Sequence, residues 1–330
     1  MMNDIPEQAL SVAVIGAGSM GQHHLRVYSS LKGVEVVAVI DADPVRAQAM
    51  ADRHGCEVCP DIEALSGRVD AVSVCTPSVT HAEVGLELLQ AGIHCLIEKP
   101  LATTEAECQS LIAAAEDAGV VLLVGHIERF NPAVRQLHDI LADGHRIHAI
   151  DVRRLSAVSG RITDVDVVMD LMVHDLDIVL PLMREPVASV TARGVMTADS
   201  AGRDYVTSMI GFDSGSLATI TASRITQNKV RELSVTTDLG LITIDYMNQD
   251  LFIYQQKGNT PMESGLSGFG NYMLDIAMER AQIRHAEPLL MELQHFVDTI
   301  RTGGEPLVSG RQALEALRLV WRIQESVYHD

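Results

Sequence analysis

Short apolar runs alternate with amphipathic segments over the first 126 residues of the chain. The runs are rich in β-branched residues, which is typical of buried strands, and the longer segments between them carry apolar residues at helical spacing. The runs are SVAVI (11–15), VEVVAVI (34–40), VDAVSV (69–74), IHCLIE (93–98) and VVLLVG (120–125). Strands that alternate with helices predict an α/β domain with a doubly wound parallel sheet, which we assign to residues 1–127.

The pattern changes beyond residue 127, where β-rich runs follow one another with short connections between most of them. The runs are IHAIDVRRLSAV, VASVTARGVM, DYVTSMIGFD, SLATITASRI, KVRELSVTTD, GLITIDYMN and DLFIYQQ. The connections FDSGS and TDLG are typical of hairpins. We therefore predict that residues 128–330 form an α+β domain with a large, mostly antiparallel sheet, and that helices over 289–303 and 309–327 close the chain. The segment 258–271, rich in Gly, Ser and Asn, predicts a mobile loop.

Composition and charge limit the partners of the chain. A length of 330 residues suits two domains. The net charge of −19, without a block rich in Lys and Arg, excludes nucleic acid as a partner, because phosphate binding needs a concentrated basic surface. No apolar run approaches the roughly 20 residues that span a bilayer, and no basic segment opens the chain, so we expect a cytoplasmic protein without a membrane partner.

The cysteine content indicates a reducing compartment, because the five cysteines are an odd number. Cys56 and Cys59 form a CxxC within a predicted helix-to-strand connection. No second CxxC or CxxH accompanies this pair, so a zinc or redox role is a minor alternative. We predict that the protein holds no metal.

A glycine-rich turn, GAGSMG, follows the first predicted strand directly. A helix, a second strand and an acidic residue come after it, which is the context in which such a turn binds a dinucleotide. Gly16 allows the tight turn, Gly18 lets the backbone approach a pyrophosphate, and Gly21 lets the helix pack on the strand. The N–H groups of Ser19 and Met20, at the start of the helix, are then offered to the phosphates.

The acidic residue is Asp41, at the carboxyl end of the second predicted strand. A carboxylate at this position accepts hydrogen bonds from the ribose hydroxyls and repels a 2′-phosphate, so we predict that the cofactor is NAD rather than NADP. Arg46 is close enough in the sequence to leave NADP open. A second interpretation, in which Asp41 only caps the helix that follows, also stays open.

The carboxyl ends of three predicted strands carry the motifs CTP (75–77), EKP (98–100) and GH (125–126). Ligands of a doubly wound sheet bind beyond these ends. The topology thus places Lys99 where a nicotinamide meets its substrate, unless Lys99 is an ordinary strand-end lysine in solvent. The cofactor-binding residues that we predict along this edge are Thr76, Pro77, His81, Glu98 and Lys99.

The stretch MDLMVHDLD (169–177) places an acid, an imidazole and a second acid on one helical stripe. Asp170, His174 and Asp177 are four and then three residues apart, which aligns their side chains on one face. The flanking sequence is apolar, so we expect that part of the stripe is buried or faces a cleft. Acid–histidine pairs cluster at functional sites. A stripe of solvated side chains and a metal site with Asp170 and His174 as ligands are the alternatives.

GAGSMGQHH, EKP and the DxxxH formed by Asp170 and His174 resemble, in this order, the glucose–fructose oxidoreductase/inositol 2-dehydrogenase (Gfo/Idh/MocA) family. The resemblance covers nearly the whole chain and implies an enzyme that oxidises or reduces a secondary alcohol of a sugar or cyclitol with NAD(P). It also implies that Lys99, Asp170 and His174 are catalytic and that the bond between Lys99 and Pro100 is cis. Whether Lys99 or His174 is the primary proton acceptor stays open.

Three segments resemble one branch of this family, which acts on nucleotide-linked amino sugars. They are 125–134, 164–180 and 223–255. The resemblance implies a UDP-N-acetylglucosamine 3-dehydrogenase whose 3-keto product passes to an aminotransferase, on the route to the 2,3-diamino sugars of lipid A. The substrate-binding residues that we predict are Lys99, Arg129, Asn131, Arg154, Asp170 and His174. Further candidate cations for the diphosphate are Arg153, Arg224 and Lys229.

Two other functions stay open at this point. One is a free-sugar or inositol dehydrogenase with the same site, and the other is a non-catalytic regulator that binds NAD. The presence of Lys99, Asp170 and His174 together argues against the regulator, which does not need all three. One face of the second sheet requires a cover, so we also expect a homodimer or a homotetramer.

Overall fold

The computed structural model of the protein describes residues 9–157, 166–197, 202–261 and 272–328. Unit 1 comprises Met1–Phe130 and Ala286–Arg318, and unit 2 comprises Asn131–His285 and Leu319–Asp330. The predicted division into residues 1–127 and 128–330 stays a prediction. The structure adds that the chain returns to unit 1 near its C-terminus, which a boundary drawn along the sequence does not anticipate.

Unit 1 is built on a six-stranded sheet. Its strands are β1 (Leu10–Ile15), β2 (Val34–Ile40), β3 (Glu57–Val58), β4 (Ala71–Val74), β5 (His94–Glu98) and β6 (Leu122–Gly125). All neighbours are parallel and their order is β3–β2–β1–β4–β5–β6, the doubly wound order with a switch point between β1 and β4. β4 and β6 are buried along their whole length, as expected for parallel strands with helices on both faces. The predicted doubly wound parallel sheet is confirmed.

Local sequence determines where the helices begin. The α-helices of the described residues are α1 (Ser19–Tyr28), α2 (Pro44–His54), α3 (His81–Gln90), α4 (Glu105–Ala118), α5 (Pro132–Ala142), α6 (Val173–Met183), α7 (Pro288–Thr302) and α8 (Gly310–Tyr328). Asp43 caps α2, and Thr104 caps α4 in a capping box with Glu107. The two helices predicted near the C-terminus are confirmed as α7 and α8. In the part of the chain that the structure describes, no helix is long and apolar enough to cross a membrane.

Unit 2 contains an eight-stranded sheet. Its strands are β7 (Ile147–Leu155), β8 (Val187–Val195), β9 (Tyr205–Phe212), β10 (Leu217–Ser223), β11 (Val230–Thr237), β12 (Leu241–Asp245), β13 (Asp250–Pro261) and β14 (Tyr272–Arg280). They lie in the order β14–β13–β12–β11–β7–β10–β9–β8. Every neighbouring pair is antiparallel except the parallel pair of β7 and β10. The predicted large, mostly antiparallel sheet is confirmed.

One edge of this sheet differs from the predictions. The sequence pattern does not predict β14, which pairs with β13. The predicted mobile loop over 258–271 is wrong for its first residues, because β13 continues to Pro261 through an irregularity at Gln256–Gly258. Residues 262–271 of that prediction lie outside the described residues. Pairing with a partner strand explains the difference, since a ladder of hydrogen bonds overrides the weak strand propensity of Gly and Asn.

Alternation along β7 defines the two faces of the sheet. Ile150, Val152 and Arg154 are buried, whereas Asp151 and Arg153 are exposed. The sheet also carries exposed apolar side chains on its described residues. They are Val195, Met209, Leu217, Leu241, Ile276 and Met278. These side chains fit the expectation that another subunit covers part of the sheet, and the homo-oligomer stays a prediction.

Candidate cofactor-binding and catalytic site

The glycine turn joins β1 to α1, and two of its glycines are required by the fold itself. Gly16 has a φ of 90°, and a Cβ there would lie 2.6 Å from the carbonyl oxygen of Cys75. A Cβ on Gly21 would lie 1.8 Å from the carbonyl oxygen of Gly16. Both separations are too short for a real Cβ, so a side chain at either position forces the backbone to move.

Gly18 differs from these two, because, apart from its own neighbours along the chain, no heavy atom of the described residues lies within 4 Å of where its Cβ would be. It is the N-cap of α1, and the residues after it are the exposed Ser19 and the half-buried Met20. The first turn of a helix leaves N–H groups without intrahelical acceptors, and these groups bind phosphate. The open space at Gly18 and the first turn of α1 therefore fit the pyrophosphate of a dinucleotide.

Asp41, directly after β2, is tied to the glycine turn. Its carboxylate accepts hydrogen bonds from the N–H of Ala17 at 2.6 Å and of Asp43 at 2.8 Å, and Arg46 donates to both oxygens at 3.1 and 2.8 Å. Burial by itself raises the pKa of this carboxyl, but the hydrogen bonds outweigh burial and lower the pKa below its ordinary value. Asp41 is therefore ionised at neutral pH. The alternative role, capping α2, belongs to Asp43.

The contact between Asp41 and Arg46 bears on the choice of cofactor. We expect Asp41→Ala to narrow the preference for NAD over NADP, because it removes the acceptor for the ribose hydroxyls and releases the guanidinium of Arg46. A released guanidinium binds a 2′-phosphate through charge-assisted hydrogen bonds. One hydrogen bond that NAD loses, or that NADP gains, corresponds to about a tenfold change in the ratio of the dissociation constants for the two cofactors. Isothermal calorimetry with each cofactor measures that ratio.

The double variant Asp41→Ala/Arg46→Ala is the control for this experiment. It is expected to bind NADP more weakly than Asp41→Ala does, because the cation is then absent. Wild-type protein that binds NADP more tightly than NAD would contradict the predicted preference.

One buried histidine joins the turns that follow β4 and β5. His81 begins α3, and its ring nitrogens lie 2.8 Å from the carbonyl oxygen of Pro100 and 3.0 Å from that of Thr76. The predicted cis bond between Lys99 and Pro100 is confirmed. Thr76 and Lys99 are half-buried and Pro77 is exposed. The structure thus brings these predicted residues together at the carboxyl edge of the sheet of unit 1.

The interior of this edge is a buried polar cluster that includes a residue absent from the predictions. The carboxylate of Glu98 lies 3.0 Å from Nε2 of His24, and both residues are buried. His24 stands on α1 four residues before the buried Tyr28, so helical spacing is the signal that points to it. Burial raises the pKa of the neighbouring Cys75 thiol well above its ordinary value, and the charges of Glu98 and Glu292 raise it further. The thiol of Cys75 is therefore neutral and is no candidate nucleophile.

In unit 2, Asp170 lies in a π-helical segment, Val168–Met172, that leads directly into α6. The predicted stripe assumes a regular α-helix throughout, and the wider π turn replaces that geometry around Asp170. Asp170 and His174 are half-buried and Asp177 is buried, so the expectation that part of the stripe is buried is confirmed. Because π turns frequently occur at functional sites, this segment is a candidate catalytic element.

Arg154, on the buried face of β7, forms an ion pair with Asp175 in the first turn of α6. Nε and Nη2 of the guanidinium donate to the two carboxylate oxygens at 2.7 and 2.8 Å. The guanidinium also lies over the ring of Tyr246, 5.4 Å from its centroid. Arg154 continues the alternate positions of Ile150 and Val152 along β7. A charged residue at such a position indicates that it is buried and has a partner. A substrate contact by Arg154 stays a prediction, but its charge is balanced within unit 2.

Arg129 and Asn131 also have contacts within the unit to which each belongs. Arg129 is buried in unit 1, where it donates to the carbonyl oxygen of Leu307 at 3.2 Å. Asn131 is buried in unit 2, where it caps α5 through the N–H of Ala133 and donates to the carbonyl oxygen of Tyr246 at 3.0 Å. Substrate contacts by these two residues stay predictions, and the contacts seen are those of structural residues.

The further candidate cations for a diphosphate fall into two classes. Arg224 is buried, and its Nε donates to Asp204 at 2.7 Å, so its charge is balanced as that of Arg154 is. Arg153 and Lys229 are exposed. Arg153 lies on the face of β7 opposite to Arg154, and Lys229 directly precedes β11. A contact of either residue with a diphosphate stays a prediction.

Two family models and a similar protein identify the family. The model of the oxidoreductase family with an NAD-binding Rossmann fold matches residues 10–126, and that of the Gfo/Idh/MocA C-terminal domain matches residues 158–243. The UDP-N-acetylglucosamine 3-dehydrogenase of Acidithiobacillus ferrooxidans is 32% identical over 311 residues, which are 93% of this chain and 95% of that protein. The chain belongs to the Gfo/Idh/MocA family. It is an NAD-binding oxidoreductase.

This Gfo/Idh/MocA enzyme is also similar to dehydrogenases that are named for inositol, and its fold is similar to solved structures of both kinds. The inositol 2-dehydrogenase of Rhizobium meliloti is 28% identical over 321 residues, 93% of each chain. The solved structure of the A. ferrooxidans enzyme has a TM-score of 0.87 at 29% identity and covers 96% of this chain and 97% of its own. That of a putative myo-inositol dehydrogenase from Sinorhizobium meliloti has a TM-score of 0.80 at 25% identity, over 97% and 98%.

NAD is the cofactor of this Gfo/Idh/MocA enzyme, and the residues of unit 1 fit it. Gly16 and Gly21 shape the turn, Gly18 leaves an approach open, and α1 offers its first N–H groups. Asp41 is an ionised acceptor tied to this turn, and its predicted contact with the ribose hydroxyls stays a prediction. When bound, NAD supplies the nicotinamide that accepts or donates a hydride.

Two metal sites were alternatives from the sequence, one at the CxxC and one at Asp170 and His174. Among the residues that the structure describes, no group of three or more His, Cys, Asp or Glu side chains is placed to hold a metal ion. Cys56 lies between α2 and β3, as predicted, whereas Cys59 directly follows β3 and is not part of that connection. Both are free thiols. Burial raises the pKa of Cys56 above its ordinary value, which lowers its reactivity.

Proposed function

We propose that this enzyme oxidises the 3-hydroxyl of UDP-N-acetylglucosamine with NAD. The observation that carries the proposal is the 32% identity to a UDP-N-acetylglucosamine 3-dehydrogenase, against 28% to an inositol 2-dehydrogenase over the same 93% of the chain. The 3-keto product then passes to an aminotransferase, as in the branch of the family that supplies 2,3-diamino sugars for lipid A.

Three residues carry the reaction in this proposal. His174 takes the proton of the substrate hydroxyl, because imidazole readily gains and loses a proton near neutral pH. Asp170 orients the imidazole and stabilises its charged form. Lys99 donates a hydrogen bond to the reacting oxygen and stabilises the negative charge that develops on it.

The surroundings of these residues support the assigned roles. Lys99 is half-buried at the carboxyl edge of β5, the same edge of unit 1 at which the glycine turn and Asp41 fit NAD. It directly follows the buried Glu98, whose carboxylate lies 3.0 Å from Nε2 of His24. In unit 2, Asp170 and His174 are half-buried rather than fully solvated, which strengthens the electrostatic interaction of a carboxylate with an imidazolium.

A thermal-shift assay with NAD present tests the substrate. We expect UDP-N-acetylglucosamine to raise the melting temperature and free N-acetylglucosamine, glucose and inositol to leave it nearly unchanged. A ligand that binds only the native state stabilises it by about 2.7 kcal/mol at a concentration 100 times its dissociation constant. UDP is the matched control, because it retains the diphosphate and lacks the sugar hydroxyl.

Turnover is the second measurement. Oxidation of the alcohol to a ketone is uphill near neutral pH, so NADH accumulates little unless an aminotransferase and an amino donor remove the 3-keto product. The assay therefore contains that partner or runs in the ketone-reducing direction. Rapid oxidation of free inositol or glucose, with no thermal shift by UDP-N-acetylglucosamine, would replace this proposal with an inositol or free-sugar dehydrogenase.

The same assays also test the metal alternative. A metal-dependent enzyme with Asp170 and His174 as ligands loses its activity after complete removal of metal, whereas we expect the activity to remain.

A further inference from the structure

Arg154 on β7 and Asp175 on α6 form an ion pair that connects the two elements. Asp175 directly follows His174 in the sequence. The side chains of Arg154 and Asp175 are 3% and 1% exposed, and the guanidinium binds both carboxylate oxygens, at 2.7 and 2.8 Å. A buried ion pair of this kind contributes little net stability, because the desolvation of two charges offsets their attraction. Its geometry is therefore a better guide to its role than its strength.

The geometry controls the rotation of α6 about its own axis. Successive residues of an α-helix point about 100° apart, so Asp175 faces the sheet while the half-buried His174 points in another direction. Side-chain ends lie about 5–6 Å from the helix axis, and a rotation of about 10° therefore moves the imidazole by about 1 Å. A planar guanidinium that binds both oxygens of Asp175 resists this rotation, whereas a single hydrogen bond permits it.

The neighbours of the pair make it a firm anchor. α6 begins directly after the π-helical segment Val168–Met172, so no regular α-helical turn precedes it to set its rotation. On the other side, the ring of Tyr246 covers the guanidinium at 5.4 Å, and Asn131 binds the backbone oxygen of Tyr246 at 3.0 Å. The sheet side of the contact is thus held in place, and the rotation of α6 follows from it.

We propose that Arg154 is a positioning residue for His174: by binding Asp175 it sets the rotation of α6 and thereby the place of the imidazole. The inference rests on the proposed role of His174 in proton transfer. It differs from the substrate contact predicted for Arg154 from the sequence, because here the guanidinium acts through Asp175 and α6 rather than on the substrate.

The double variant Arg154→Met/Asp175→Leu tests the proposal without leaving a buried unpaired charge. Apolar side chains of similar volume often replace a buried ion pair with little loss of stability, so we expect a melting temperature close to that of the wild type. A displacement of about 1 Å costs up to about a hundredfold in rate, so we expect kcat to fall about tenfold to a hundredfold. We expect KM for the sugar and Kd for NAD to stay nearly unchanged, because in this proposal Arg154 and Asp175 contact neither the sugar nor NAD. Arg154→Lys keeps the charge without the planar fork and is expected to give an intermediate kcat.

Ile244→Ala is the control for stability alone. Ile244 is 2% exposed on β12, two strands away from β7, and its truncation leaves a cavity in unit 2. We expect a lower melting temperature and an unchanged kcat at temperatures where the variant is folded. This separates a loss of position at His174 from a general loss of stability.

Two results would overturn the proposal. One is wild-type kcat in the double variant, and the other is a raised KM with unchanged kcat, which would assign Arg154 to substrate binding. Should the double variant fail to fold, Arg154→Lys decides, since wild-type kcat in that variant also overturns the proposal. Ratios to the wild type are measured with whichever sugar the wild type oxidises. A wrong substrate therefore contradicts only the proposed function and leaves this test intact.

Discussion

We expect His174→Ala and Lys99→Ala each to lower turnover of the true substrate by about a hundredfold or more. Proton transfer by a positioned side chain contributes about 10²–10⁴-fold, and the loss of one donor to a developing oxyanion costs about 10²–10³-fold. The Kd for NAD should stay nearly unchanged, because Lys99 is only one of several predicted cofactor contacts, and those of the glycine turn and Asp41 remain in both variants. Asp170→Asn should cost less than either alanine variant, because it leaves the imidazole in place. Steady-state kinetics with saturating NAD measure turnover, and calorimetry measures the Kd.

Exposed residues of the same types provide matched controls. Lys32 is exposed in unit 1 and His148 is exposed in unit 2, so Lys32→Ala and His148→Ala should keep wild-type turnover. Wild-type turnover by His174→Ala would remove this residue from proton transfer. If Lys99→Ala were inactive in the same experiment, Lys99 would become the primary proton acceptor.

The glycine turn should respond differently to a methyl group at each of two positions. We expect Gly21→Ala to lower the melting temperature and to weaken NAD binding by at least about a hundredfold. Its Cβ would lie 1.8 Å from a backbone oxygen that no side-chain rotation can move, so α1 has to shift on β1, at a cost of a few kcal/mol. Gly18→Ala should weaken NAD binding at an unchanged melting temperature, because its methyl group enters only the open space of the pyrophosphate.

Gly304→Ala tests whether any glycine replacement in unit 1 has these effects. The nearest heavy atom to its Cβ would be Oγ1 of Thr302 at 3.3 Å, a side-chain atom, so both measurements should match the wild type. An unchanged melting temperature in Gly21→Ala, or wild-type NAD affinity in Gly18→Ala, would contradict the assignment of these glycines. Differential scanning fluorimetry without NAD gives the melting temperatures.

Local patterns explain why much of the architecture could be predicted. Strand–helix alternation predicts the parallel sheet, because a period of two and a period of 3.6 residues are properties of short segments. The glycine turn could be assigned for the same reason, since turn, helix start and acidic residue follow each other within 26 residues, from Gly16 to Asp41. The hairpins FDSGS and TDLG connect antiparallel neighbours, β9 with β10 and β11 with β12.

The predictions that differ from the structure depend on partners far away in the sequence. β14 forms because β13 pairs with it, and its own sequence is a weak strand signal. The helix through Asp170 could be predicted from its spacing, but the π turn within it could not, since a helical pattern does not distinguish an i→i+4 from an i→i+5 turn. The chain returns to unit 1 after the second sheet, with residues Ala286–Arg318. The sequence of that segment alone does not indicate the unit to which it belongs.

The candidate site divides along the same line. The sequence by itself determined which residues are candidates for the chemistry, namely Asp41, Lys99, Asp170 and His174, because their motifs are short and lie on recognisable strands and helices. Only the tertiary structure decided which charges are balanced, because ion pairs form between residues that folding brings together. Arg154 was predicted as a substrate ligand from its charge, and the structure pairs it with Asp175, 21 residues away, inside unit 2. The sequence shows which side chains are charged. Whether a charged side chain is available to a ligand depends on its burial and on its partner, and both are properties of the fold.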